Sequence, residues 1–142
     1  MKEHLLELSQ NALESMNRGD FESAAKALNE LLEQQPNWEH GGGVYNLACC
    51  LEELGLYDDA KQKFEQALNY EPRNPIFLGG LASFLYLHGD PREAFAKHLA
   101  LIKLERSLGN EAKVLSIAQA LRTLGQRIGL PPAAVDGLID ES

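Results

Sequence analysis

The chain has 142 residues, 44% of them hydrophobic and 24% charged, enough for one domain with a real core and ordinary for a globular protein. Thirteen Lys and Arg stand against 21 Asp and Glu, a net charge of −8, which excludes nucleic acid and anionic membrane surfaces as main partners because both need a basic patch. No run approaches the roughly 18 apolar residues of a membrane span, and MKEHLLELSQ lacks the apolar region of a secretory signal, so the expected location is cytoplasmic.

In chain order, the first pattern is a helix over residues 3–17, with Leu5, Leu8, Ala12 and Met16 on one stripe. Arg18-Gly19-Asp20 reads as a turn. Phe21 to Glu33 is a second helix with Ala24, Ala25, Leu28, Leu31 and Leu32 apolar, stopped by Pro36. Residues 37–43, NWEHGGG, read as a loose loop that delays the next helix. No strand precedes the glycines and no Lys follows, so a phosphate loop is a poor reading. Trp38, the single tryptophan, is expected to pack on the neighbouring helix pair.

From Val44 the pattern sharpens. Leu47, Ala48, Leu51 and Leu54 recur at helical spacing, Gly55 ends that helix, and Tyr57 opens a second stripe through Ala60, Phe64, Ala67 and Leu68 to Pro72. Ala48 and Ala60 are small where the helices should cross, beside the large Tyr57 and Phe64, which permits close packing. Gly19, Phe21, Ala24, Leu28 and Pro36 precede Gly55, Tyr57, Ala60, Phe64 and Pro72 by a constant 36 residues. A third pair starts at Asn74-Pro75, with Leu78, Leu81, Ala82 and Leu85 before Gly89, and Ala94, His98 and Leu101 after Asp90-Pro91. Its offset from the second pair is 34, with Pro91 at the place of Tyr57 and His98 at the place of Phe64. It runs to about Leu108, where Gly109-Asn110 breaks it. Val114, Ile117, Ala118, Leu121 and Gly125 then match Val44, Leu47, Ala48, Leu51 and Gly55 at an offset of 70. Gly129 and Pro131-Pro132 leave room only for a short turn, Ala133 to Ile139.

The Leu-Ala pair, Gly, Tyr, Ala, aromatic, Ala and closing Pro of residues 44–72 resemble the tetratricopeptide repeat. The resemblance extends over at least residues 4–129. It is specific in the second unit, good in the first and third and partial in the fourth. It implies an all-α fold, a right-handed superhelix of antiparallel helix pairs. The expected organisation is a single domain, 1–142: repeats at 4–38, 41–74 and 75–108, a capping helix at 111–128 and a short helix at 132–140.

No catalytic constellation stands out, and neither an enzyme, a cofactor nor a metal site is expected. His4, His40, His88 and His98 fall in different units. Cys49 and Cys50 are adjacent within one helix, wrongly directed for a disulfide and short of the further ligands a zinc site needs. Ser83 and Ser116 lack a paired base, and Glu52-Glu53 and Asp58-Asp59 read as solvated charge and helix-start preference.

The resemblance implies a concave groove lined by the first helix of each pair, which binds peptides or segments of other proteins. Its positions here are Leu6, Ser9, Gln10, Leu13 and Asn17; Tyr45, Asn46, Cys49, Glu52 and Glu53; Ile76, Gly79, Gly80, Ser83, Tyr86 and Leu87; and Leu115, Ser116, Gln119 and Arg122. Tyr45 stands two residues before Leu47, about 200° around a helix, and so off the core stripe. The subfamily that clamps chaperone C-termini uses Lys, Arg and Asn; only Asn46 matches, and Ser9, Leu13, Ile76 and Gly80 occupy the other places. The expected partner is another protein or peptide, and the ends of the stack offer a route to homo-oligomers. The alternatives are a small acidic chaperone of the type III secretion class, holding an apolar client segment, and a regulatory domain of a larger protein.

Overall fold

The computed structural model describes residues 2–142, and these form eight α-helices and one short 3-10 turn, with no strand among them. The chain divides into two compact units, Met1–Pro72 and Arg73–Ser142.

The first unit contains α1 (Lys2–Asn17), α2 (Phe21–Gln34), a turn at Trp38–Gly41, α3 (Gly42–Glu53) and α4 (Tyr57–Tyr70). The two helix pairs close alike. Gly55 takes a φ of 76°, so Leu56 N–H reaches back to Leu51 O at 2.9 Å and Gly55 N–H to Glu52 O at 3.0 Å. Gly19, with φ 77°, does the same between α1 and α2. This left-handed residue satisfies the last helix carbonyls and reverses the chain in two residues. Asp20 caps α2 by accepting from Ser23 N–H at 3.2 Å, and that hydrogen bonding holds its carboxyl below the usual range.

One apolar cluster joins α1, α2, the turn and α3: Leu5, Leu8, Ala12, Leu28, Leu31 and Trp38 lie in it with Leu47 and Cys50. Ala48 on α3 and Ala60 on α4 are completely buried, and Phe64 is buried beside them. Of the four residues expected at the crossing of α3 and α4, these three are buried and Tyr57 is exposed.

Residues 37–43 correct the expectation of a loose loop. Trp38 is buried, its indole N–H donates to Glu39 Oε1 at 3.0 Å, and Glu39 and His40 take φ of 51° and 52°. Helix α3 starts two residues before Val44, with Gly42 and Gly43 inside it. A Cβ at Gly43 would lie 3.1 Å from Leu32 Cδ2 and 3.4 Å from Trp38 Cβ. The glycines let α3 approach α2 closely; they do not loosen the chain.

The second unit contains α5 (Pro75–His88), α6 (Pro91–Ser107), α7 (Glu111–Arg127) and α8 (Pro132–Glu141). Asn74 Oδ1 accepts from the N–H groups of Ile76 and Phe77, and Asp90 Oδ1 from Arg92 N–H, each with proline in the first turn behind it. The α6–α7 turn is held by Glu105, whose buried carboxylate accepts from Asn110 Nδ2 at 2.8 Å and pairs with Lys113 at 3.4 Å.

Gly125 stands at the place of Gly55 but does not end α7. It lies inside the helix, and a Cβ there would meet Val135 Cγ2 at 2.5 Å, so it admits the next helix. That element is α8, a helix of ten residues. Val135 and Ile139 bury its inner side, Arg122 Nε meets Asp136 at 3.1 Å, and Arg106 donates to the carbonyls of Ile139 and Ser142.

Candidate functional site

The faces of interest lie on the first helix of each pair, opposite the stripes that build the cores. On α1, Leu6, Gln10, Leu13 and Asn17 are exposed and Ser9 is half-buried. Leu6 and Leu13 are seven residues apart, within about 20° on the helix, so they share one face. On α3, Glu53 is exposed, while Tyr45, Asn46, Cys49 and Glu52 are half-buried.

Tyr45 is more than a surface side chain. Its ring meets Phe64 edge-on, with centroids 5.7 Å apart and planes at 69°. Burial pushes its hydroxyl up to about 12, with further contributions from Cys49 and Glu52, and it shares a hydrogen bond with Cys49. Burial likewise pushes the Cys49 thiol up to about 11 and that of Cys50 to about 11. Both thiols are free and stay protonated near neutral pH, so neither is an activated nucleophile.

In the second unit, Ile76, Ser83 and Leu87 form one exposed line on α5, at spacings of seven and four residues; Gly79, Gly80 and Tyr86 beside them are half-buried. On α7, Leu115, Ser116, Gln119 and Arg122 are all exposed. Leu115, Leu87 and Ile76 are the most exposed large apolar side chains of the chain's described residues, at 71, 67 and 62%. Burying an exposed leucine is worth about 1.5–3 kcal/mol, so a row of them left in water is a ready binding surface.

Tyr86 is braced like Tyr45. The Arg127 guanidinium lies 4.8 Å from its ring centroid, and Arg127 Nη1 approaches Tyr86 O at 3.5 Å. Its other neighbour is His98, with ring centroids 6.0 Å apart. His98 is buried, donates from Nδ1 to Ala94 O at 2.7 Å, and is held neutral by burial, which lowers its pKa. The part played by Arg127 was not legible in the sequence, because only the folding of α7 against α5 brings it to the tyrosine.

Gly79 offers a local test. It lies inside α5, and a Cβ there would meet nothing within 4 Å. Gly79→Ala should therefore stabilise the chain by about 0.5–1 kcal/mol, through helix propensity and a less flexible unfolded state, as read by urea unfolding. A destabilised variant would show that the space above Gly79 is filled.

Two surface clefts lie away from these faces. One, of about 390 Å³, is bordered by Leu32, Val44, Lys63 and Tyr70; the other, of about 500 Å³, by Arg73, Lys103, Leu138 and Glu141. Neither contains an expected site residue. Among the described residues there is no helix long and apolar enough to cross a membrane, and no cluster of side chains fit to hold a metal ion.

Residues 43–74 match the model of the tetratricopeptide repeat family. Solved structures share the fold over most of the chain. The TPR2B domain of yeast Sti1, determined in complex with pHsp70, is 19% identical, covers 87% of this chain and 98% of its own, and superposes with a TM-score of 0.75. The type III secretion translocator chaperone SycD of Yersinia enterocolitica is 22% identical over 88% of this chain and 94% of its own, with a TM-score of 0.73. An O-GlcNAc transferase of Thermobaculum terrenum is 17% identical over 85% of this chain but only 22% of its own, with a TM-score of 0.70.

Proposed function

From a chain that carries a tetratricopeptide repeat at residues 43–74 and has the fold of tetratricopeptide-repeat domains, we propose a non-catalytic protein-interaction module. It holds a peptide or protein segment against the exposed faces of its first helices. The observation that carries this reading is the exposed aliphatic side chains there in each unit: Leu6 and Leu13 on α1 in the first, and Ile76 and Leu87 on α5 with Leu115 on α7 in the second. Leu6 and Ile76 occupy equivalent places 70 residues apart, with Gly42 at that place in the repeat between them. Asn46 on α3 offers both a donor and acceptors to an extended backbone.

The test is a pair of single variants, Leu13→Asp for the first unit and Leu87→Asp for the second. Both sites are exposed, so unfolding free energies should stay within about 0.5 kcal/mol of the parent. Cross-linking to bound protein in lysate, read by mass spectrometry, should lose the same partner in at least one variant. Partners retained by both variants would place binding elsewhere on the chain.

The partner of the Sti1 domain does not transfer. Ser9, Leu13, Ile76 and Gly80 provide no cation to pair with a terminal carboxylate, which needs two or more charge-assisted hydrogen bonds. The second reading is a cytoplasmic secretion-type chaperone that shields an apolar client segment. What favours it is size: the translocator chaperone is matched over 94% of its length, so the two chains are alike in extent as well as fold. Co-expression with a fragment that is insoluble alone would separate the readings, since an adaptor has no reason to keep such a fragment soluble.

A further inference from the structure

The two units differ sharply in charge. Met1–Pro72 has five Lys and Arg against fourteen Asp and Glu, a net charge of −9; Arg73–Ser142 has eight against seven, a net charge of +1. Within the first unit α3 contains no Lys or Arg, and it ends on Glu52-Glu53. A helix C-terminus carries partial negative charge, which favours cations in the last turn. In the second unit α5, α6 and α7 follow that rule, closing on His88, Arg106 and Arg127, whereas α8 ends on Asp140-Glu141. In the first unit α2, α3 and α4 have no basic residue in the last turn. Asp58 and Asp59 open α4, where the dipole welcomes an acid, but Glu52 and Glu53 sit where it opposes one.

The turn between these two acid pairs exposes three large apolar side chains, Leu54, Leu56 and Tyr57. On α1, exposed Leu13 occupies the place equivalent to Cys49, one turn before Glu53. The negative field is felt locally, since Glu52 and Glu53 both add to the upward push on Cys49. The end of α2 differs. It too carries an acid, Glu33, but the exposed ring near it, Tyr70, is tied down by its hydroxyl, which donates to Pro36 O at 3.3 Å.

We propose that the α3–α4 turn, with the last turn of α3 and the first of α4, docks a basic amphipathic segment of a partner protein. Its aliphatic or aromatic side chains cover Leu54, Leu56 and Tyr57, and its Lys or Arg side chains pair with Glu53, Asp58 and Asp59. The proposal rests on the protein-interaction reading and names the partner's chemistry for one part of it. Other occupants fit poorly. An acidic segment or an anionic membrane meets like charge, and a second copy brings either another −9 unit or one of only +1.

The probes are three labelled peptides of equal length: Leu and Lys at helical spacing, Leu and Glu in the same pattern, and Ser and Lys with the same positive charge but no apolar face. Fluorescence anisotropy against the full chain should show the Leu/Lys peptide binding at least about tenfold more tightly than either other peptide, and weakening as salt is added. Glu53→Gln, Asp58→Asn and Asp59→Asn together should weaken it about fivefold or more. Glu22→Gln, Glu30→Gln and Glu33→Gln, which remove as much charge from α2, should leave it nearly unchanged. Circular dichroism fixes a temperature at which every variant is folded, and the salt titration of the parent chain needs no variant. Equal binding of the Leu/Lys and Leu/Glu peptides, equal binding of the Ser/Lys peptide, or an equal loss in the α2 control would each overturn the proposal. If the Leu/Glu peptide binds and Leu13→Asp abolishes that, the interaction module stands and its basic partner falls. If neither Leu-containing peptide binds, both readings fall.

Discussion

Phe64→Ala should destabilise the chain by about 3–5 kcal/mol, the usual cost of removing a fully buried phenylalanine. Phe64 is 1% exposed and is the largest completely buried side chain among the described residues. Its position makes the upper half of that range reasonable. Ala48, Ala60 and Ala67, all completely buried on the same two helices, are too short to collapse into the space it would leave. The residual cavity therefore stays open, and its lining loses contacts outright. A domain of this size has roughly 5–15 kcal/mol of stability in total, so the variant should melt far below the parent or fold only in part. The edge-on contact with Tyr45 gives a second readout. Tyr45→Ala alone should cost more than the few tenths expected of an exposed residue. The double variant should then lose less than the two singles together, by about 0.5–1.5 kcal/mol, the coupling typical of an aromatic pair. A Phe64→Ala chain with the urea midpoint of the parent would mean that α4 does not pack on α3 through this residue.

That coupling also marks where sequence reading runs out. The helix ends were legible because Gly19, Gly55, Pro36 and Pro72 act locally, through backbone conformations only a few residues long. The exposed aliphatics were legible through the resemblance, which implies a groove position for Leu6, Leu13, Ile76 and Leu87. The placement of Tyr45 and Tyr86 off the core stripe was legible too, but their half-burial was not. It comes from Phe64 on α4, and from Arg127 on α7 and His98 on α6, which one helix's own period cannot reveal.

Glycine misled once. Low helix propensity made Gly42-Gly43 read as loop, and packing overrides it, because Gly43 lies against Leu32 and Trp38. The partition of charge was present in the sequence throughout. It gained meaning only once the boundary at Pro72 was known, since −8 spread over 142 residues describes solubility whereas −9 on one unit describes a partner.

Ala48→Leu should cost roughly 1–3 kcal/mol by the opposite mechanism, overpacking rather than a cavity. The substitution adds three heavy atoms at a side chain with no exposed surface. Helices α3 and α4 pack on each other, and Ala48 on the first and Ala60, Phe64 and Ala67 on the second are all buried. A leucine there can be housed only by moving α4 away or by forcing neighbours off their preferred rotamers. Moving α4 would also draw Phe64 from Tyr45, so the edge-on aromatic pair should be lost along with stability. Near-ultraviolet circular dichroism reads that loss separately from the thermal midpoint, because it follows the packing of the rings. Ala112→Leu is the matched control: it adds the same three heavy atoms to an exposed side chain on α7 and should leave the midpoint within about 0.5 kcal/mol equivalent of the parent. If Ala48→Leu melted with its control, Ala48 would face solvent. The register that places Tyr45, Asn46 and Cys49 on the outward face of α3 would then be turned, and the faces assigned to binding would have to be drawn again from the opposite side of that helix.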